Sequence, residues 1–267
     1  MDAELSYYAT SGPTTQLGEY GILVADLPAE PVRLGEIVRG LLLHNSVVAM
    51  RGMKLPPERM TDMKRTGAAS ILDGVLDLEP DALDSKRRSE RRMVGFCYHF
   101  ALLHCAFLRS KGIPSRTRCG FARYFHPGRW IDHWIVEYWG GDGWRLHDTQ
   151  LGRDGLSRDD FEDGLVAWEQ SRSGAVDPFR YGNEIFWGWD ELRGSLVNDL
   201  GALNKIEVGG WKWCDLIAVE PLDQPHPDLD TRLDAFVRAA NPDSMDKVRH
   251  AFESDPAVQP PAGVTND

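Results

Sequence analysis

The stretch MVGFCYHFALLHCAFLRSKGIPSR, residues 93–116, decides how this chain reads. A glycine and a phenylalanine precede a cysteine, an apolar run of helical length follows, and Lys-Gly-Ile-Pro closes it. The run predicts a helix over about 96–111, stopped by glycine with proline shortly beyond. Cys97 opens that helix. Cys105 falls two turns further on and Cys119 lies in a strand-like stretch, so both are expected in the core, the usual fate of a free cysteine. Cys214, in GGWKWCDLIAVE, reads the same way. Gly95 is expected to let the backbone turn tightly before Cys97. The helix start presents free N–H groups and a positive dipole end, which favour a thiolate, the attacking species in cysteine chemistry.

A cysteine nucleophile needs an imidazole as its proton-transfer partner and a third group to orient that ring. IDHWIVEYWGGDGWRLHDTQ, residues 131–150, offers both. It reads as two strands joined by a turn centred on Gly141-Asp142. Pairing Trp139 with Trp144 sets Ile135 opposite Asp148 and His133 opposite Gln150, and alternation places these four on one face. His133 and Asp148 become diagonal neighbours, roughly 7–8 Å apart, within reach of a carboxylate-to-imidazole hydrogen bond. The same parity turns His147 and Asp132 away. Among the other histidines, His126 is expected in a surface turn and His99 and His104 in packing or at the surface of the Cys97 helix. His44 is expected as a satisfied core residue of an apolar helix, and His226 and His250 lie in polar C-terminal surroundings.

The three motifs GFCYHFALLHCAFLRSKGIPSRTRCGF, DHWIVEYW and WRLHDTQ, in this order, resemble the transglutaminase-like superfamily of cysteine enzymes. The resemblance spans about residues 90–152. It implies an α+β fold with a transglutaminase-like (papain-like) core, a Cys-bearing helix packed on an antiparallel sheet, and N- and C-terminal helical additions. It also implies Cys97 as nucleophile, His133 as base and Asp148 as orienting acid. AWEQSRSGAVDPFRYG and VNDLGALNK further look like a bacterial subgroup of transglutaminase-domain proteins, which brings no substrate with it. The animal enzymes draw an oxyanion donor from a tryptophan before the cysteine, whereas no tryptophan here precedes Trp130. The Cys97 N–H is one candidate donor; the second is unassigned. Neither the calcium sites of the animal enzymes nor the zinc-binding cysteines of the deglycosylating members have a match, so no cofactor and no metal are implied.

Residues 1–255 are expected to form one such domain: a mainly helical part to 89, the core motifs over 90–152, and helical and strand additions over 153–255. The Pro-rich acidic tail, 256–267, is expected to be disordered. Helical spacing runs through 30–50, and short charged helices through 56–92. Strand signals cover 117–125, 131–139 and 144–150, and 158–206 returns to a helix-like pattern. KRRSERR, 86–92, is read as a solvated helix face in preference to an anchor for a substrate carboxylate or phosphate. Trp130, Trp134, Trp139 and Trp144 are read as packing before an apolar wall for substrate. Arg116, Arg118 and Arg123 are read as solvated charges on a sheet face, or one of them as a carboxylate ligand.

A formal net charge of −11 counts against nucleic acid as the main partner, since phosphate contacts need a basic face. The apolar runs GLLLHNSVVAM and FALLHCAFL fall well short of the roughly 18 residues of a membrane span. The N-terminus is acidic and unlike a secretory signal, so a cytoplasmic protein with reduced thiols is expected. The expected chemistry is attack by Cys97 on an amide or thioester carbonyl of a small molecule or peptide, through an acyl-enzyme thioester. Water then gives a hydrolase and an amine gives an acyltransferase; an alternative is an amide-forming acyltransferase of specialised metabolism that uses a carrier-protein thioester. A catalytically silent binding protein of the same fold is the third reading.

Overall fold

The computed structural model describes residues 2–183, 185–209, 214, 226–240 and 245–259. In chain order they form α1 (Ala3–Tyr8), α2 (Gly21–Ala25), α3 (Pro31–Leu41), β1 (Leu42–His44), α4 (Asn45–Met50), α5 (Ala68–Leu78), β2 (Met93–Gly95) and α6 (Cys97–Ser110). There follow β3 (Ser115–His126), β4 (Arg129–Trp139), β5 (Trp144–Asp148), β6 (Arg153–Leu156), β7 (Phe161–Asp163), α7 (Gly164–Arg172), β8 (Tyr181–Gly182), α8 (Trp189–Leu203), α9 (Pro227–Ala239) and α10 (Met245–Ser254). This is the α+β architecture with a cysteine-opened helix on an antiparallel sheet, flanked by helices at both ends.

Two compact units interleave along the chain. The first holds the residues up to 117 together with 135–156, and the second holds 118–134 together with the described residues from 157 onward. Strands β3 and β4 therefore each contribute to both.

In the first unit α6 is the central element. Every residue from Tyr98 to Arg109 is buried, and the helix packs against α2, α3, α5, β1 and β2. Cys105 Sγ meets Ser115 Oγ at 3.6 Å, and the Arg109 Nε–H donates to the Ser115 carbonyl at 3.0 Å, fastening the helix to β3. Burying each large side chain, Phe100, Leu103 or Phe107, stabilises the unit by about 1.5–3 kcal/mol. The helix ends as its sequence predicts. Gly112 adopts φ +70°, its N–H donates to the Arg109 carbonyl at 2.9 Å, and the Ile113 N–H reaches back to the Leu108 carbonyl at 3.0 Å. Only glycine adopts that left-handed turn at low cost.

The 30–50 stretch is not one helix. Leu42 and Leu43 leave α3 to pair in parallel with Met93 and Val94, because the β1 backbone satisfies its groups on β2 while both leucines stay buried. His44 accordingly sits at the end of β1, where its Nδ1 accepts the Ser46 N–H at 3.3 Å and caps α4. Gly95 makes no left-handed turn either. It closes β2, and a Cβ on it would meet His99 Cβ and Cγ at 3.0 Å, so close approach is the reason for glycine.

The hairpin register is the one expected, Trp139 against Trp144 through Val136 against His147, and β6 continues the first unit's sheet beyond β5. In the second unit β7 pairs with β3, from Gly120 against Asp163 to Ala122 against Phe161, and β8 runs parallel to β4. Strands β7 and β8 are short, which is why the 158–206 stretch reads as helical throughout. The helices α7, α8, α9 and α10 pack on one another in this unit. Residues 256–258 form a turn with Val258 buried; residues 260–267 and most of the stretch around Cys214 lie outside the described residues. Among the described residues, no helix is long and apolar enough to cross a membrane.

Candidate active site

All four cysteines are free thiols, and only Cys97 is accessible. It is half-buried, whereas Cys105, Cys119 and Cys214 are buried. It is the first residue of α6, and its N-cap, Phe96, has no side-chain acceptor. The first-turn N–H groups that a Ser, Thr or Asp at that position would take are therefore left without a cap side chain. A thiol with the positive end of a buried helix behind it occupies a position that favours negative charge.

His133 lies in β4 in the second unit and is 2% exposed. Phe125 presents its ring edge-on to the imidazole at 4.9 Å between centroids and Tyr124 at 6.2 Å, so two aromatic side chains restrict how that ring can turn. The neighbouring Asp132 points elsewhere, with Cys119 Sγ 3.9 Å from its Oδ1. Burial of the Asp132 carboxyl raises it to about 6, with the His133 charge pulling the other way.

Asp148 is the last residue of β5, in the first unit, and is fully buried. Its Oδ1 accepts the Leu151 N–H at 2.9 Å and its carbonyl accepts the Gly152 N–H at 2.8 Å. These two bonds fold 149–152 into a turn and fix the carboxylate. Gln150, expected as the next inward residue of the strand, consequently belongs to the turn, because the Asp148 side chain captures a backbone donor that a longer ladder would have used.

Several polar residues play roles other than those expected. His99 is 1% exposed, and its Nδ1 accepts the Phe96 N–H at 3.0 Å. Burial lowers it to about 4. His104 is fully buried between the Thr149 hydroxyl and the Pro31 carbonyl. His147, facing away from the hairpin's other side as parity requires, bonds Asp154 at 3.1 Å and stacks edge-on against His104. Arg87 of the basic run is not solvated: it is 2% exposed and donates to the carbonyls of Glu79, Asp81, Ala82, Leu83 and Ser85, staking one loop. Arg92 of the same run donates to the Arg87 and Arg39 carbonyls. Arg116, Arg118 and Arg123 are not solvated sheet charges. Arg116 pairs with Glu137 at 2.6 Å and Glu4 at 3.1 Å, Arg118 with Asp199 and Asp163, and Arg123 with Glu162. Trp130 and Trp134 are buried, and Trp139 packs edge-on against Trp144, as packing residues do. Among the described residues, no group of three or more His, Cys, Asp or Glu side chains gathers as a metal site.

The capping role of His99 was the least visible from sequence. Its signal is an imidazole at the third helical position behind an apolar N-cap, where glutamate or glutamine normally reaches back.

Residues 79–149 match the model of the transglutaminase-like superfamily. That segment contains Cys97, His133 and Asp148 and resembles the transglutaminase-like proteins. A solved structure of a Cytophaga hutchinsonii protein, named as a candidate cysteine protease, is similar at 15% identity with a TM-score of 0.39, over 60% of this chain and 46% of that one. The match thus spans less than half of that protein. No curated protein matches the sequence.

Proposed function

We propose that the protein acts on an amide or thioester carbonyl through a thioester on Cys97, with His133 as base and Asp148 as the acid that orients it. The observation that carries this reading is Cys97 itself: one accessible thiol at the start of a helix that is otherwise buried to Arg109. The order Cys97, His133, Asp148 within the matched segment supports the assignment, as does the low exposure of His133 and Asp148, which limits competition from water.

The steps follow from those roles. The His133 imidazole takes the thiol proton and the thiolate adds to the carbonyl carbon, sending the π electrons to oxygen. The Cys97 N–H is a donor for that oxyanion. Collapse expels the amine or thiol, which leaves with the proton held by His133. The acyl thioester then passes to water, deprotonated by His133, or to an amine. Hydrolysis of a small-molecule or peptide amide is the reading we favour. Amide formation from a carrier-protein thioester is the second, and net charge −11 weighs mildly against an acidic carrier. The free thiols suit a reducing, cytoplasmic setting.

The test is intact-mass analysis after exposure to a panel of simple acyl thioesters and peptide amides. An acyl adduct on Cys97, absent in Cys97→Ala and accumulating in His133→Ala only at high pH, supports the mechanism. Product in buffer alone marks hydrolysis, and product that requires added amine marks transfer. No adduct and no turnover across the panel, with the protein folded, favours the silent binding protein.

A further inference from the structure

We propose that His99 is a positioning residue for the Cys97 thiol, acting as an uncharged cap on the helix start; this rests on Cys97 being the nucleophile. The Phe96 N–H, the one directly ahead of α6, donates to His99 Nδ1 at 3.0 Å. The imidazole is 1% exposed, and its room is made by Gly95, where a Cβ would meet His99 Cβ and Cγ at 3.0 Å. Tyr98 and Phe96 flank the ring, with centroids at 5.0 and 6.0 Å. Glycine, cysteine and histidine at 95, 97 and 99 thus form one local device: the missing side chain admits the ring, and the ring holds the residue before the thiol.

The charge of the cap is the chemical point. At the third helical position, glutamate or glutamine ordinarily reaches back to the N-cap N–H. A glutamate there would hold a negative charge within one turn of Cys97 and oppose the thiolate. Because Nδ1 accepts, His99 is the neutral tautomer with its proton on Nε2. It satisfies the same donor with no net charge.

The test is the rate of Cys97 alkylation by iodoacetamide across pH in wild type, His99→Gln, His99→Glu, His99→Ala and His133→Ala. Circular dichroism checks folding, and hydrogen exchange reads the Phe96 amide. Gln keeps an uncharged acceptor and is expected to match wild type in both rate and Phe96 protection. Glu keeps the acceptor but adds charge, so Phe96 stays protected while alkylation near pH 7 slows by about two- to fivefold. Ala loses both. If Gln alkylates as slowly as Glu, or if Glu matches wild type, the role is overturned; this comparison decides even where Ala does not fold. His133→Ala separates the two claims. A slowed His133 variant beside three unchanged His99 variants overturns the His99 role and keeps the catalytic pair. The ordered His99 series beside an unchanged His133 variant keeps the role and overturns the pair. No change in any variant overturns both.

Discussion

The Thr149 hydroxyl lies 2.8 Å from Nδ1 of His104, which joins the helix that begins at Cys97 to the residue after Asp148. The other ring nitrogen faces the Pro31 carbonyl at 2.9 Å. A carbonyl only accepts, so Nε2 carries the proton, Nδ1 accepts, and Thr149 donates. Two turns of α6 separate this anchor from Cys97, about 10 Å along the helix axis. Through His104, the position of the Cys97 helix is referred to the turn that holds the Asp148 carboxylate.

Thr149→Val keeps the shape and removes the donor, leaving a buried imidazole acceptor without its partner. The expected cost is about 1–3 kcal/mol, read as a lower urea midpoint with an unchanged slope. An unchanged midpoint would show that the bond carries no stability.

Acid should weaken the fold through two histidines. Burial lowers His99 to about 4, and burial together with the nearby His147 lowers His104 to about 3. In the unfolded chain both titrate near 6.5. Between 6.5 and those lower values the unfolded state binds more protons, so stability falls as pH falls through that window and is fully present above it. The melting temperature should decline steadily from pH 7 to pH 4, and His99→Gln should make that decline shallower. A flat profile in wild type would contradict the buried neutral rings.

The second unit is pinned by a buried arginine. Arg118 donates to both oxygens of Asp199, at 2.8 and 2.7 Å, and lies 2.9 Å from Asp163, while the Cys119 N–H also bonds Asp199. Arg118→Ala removes the guanidinium from the buried Asp199 carboxylate, and about 3–5 kcal/mol of stability should be lost. Arg123, a third exposed at its side chain, stacks on Trp130 and pairs with Glu162, so Arg123→Ala should cost at most about 1 kcal/mol. Comparable losses for the two would mean that burial does not set the cost.

The sequence makes the central device legible because its signals are local and periodic. An apolar run with Lys-Gly-Ile-Pro at its end can only be a helix that stops at Gly112, and Gly-Gly-Asp-Gly between two alternating runs fixes the register from Trp139 and Trp144. What it hides depends on tertiary context. Leu42 and Leu43 continue a helical pattern and become a strand only because Met93 and Val94 lie beside them. Arg87 reads as a surface charge until the loop carbonyls from Glu79 to Ser85 fold around it, and Gln150 reads as a strand residue until the Asp148 carboxylate claims the Leu151 N–H. His99 looks like any helix histidine because its partner is a backbone N–H, which has no letter in the sequence.

The most direct measurement is iodoacetamide labelling of all four cysteines against pH, read by peptide mass spectrometry, in wild type and His133→Ala. The account predicts that Cys97 alone labels rapidly and keeps doing so at pH 6–7, where an ordinary thiol titrating near about 8.5 is almost wholly protonated. It also predicts that the His133 variant loses this advantage. Slow labelling of Cys97 that follows the ordinary thiol curve, unchanged by the loss of His133, would contradict an activated Cys97–His133 pair.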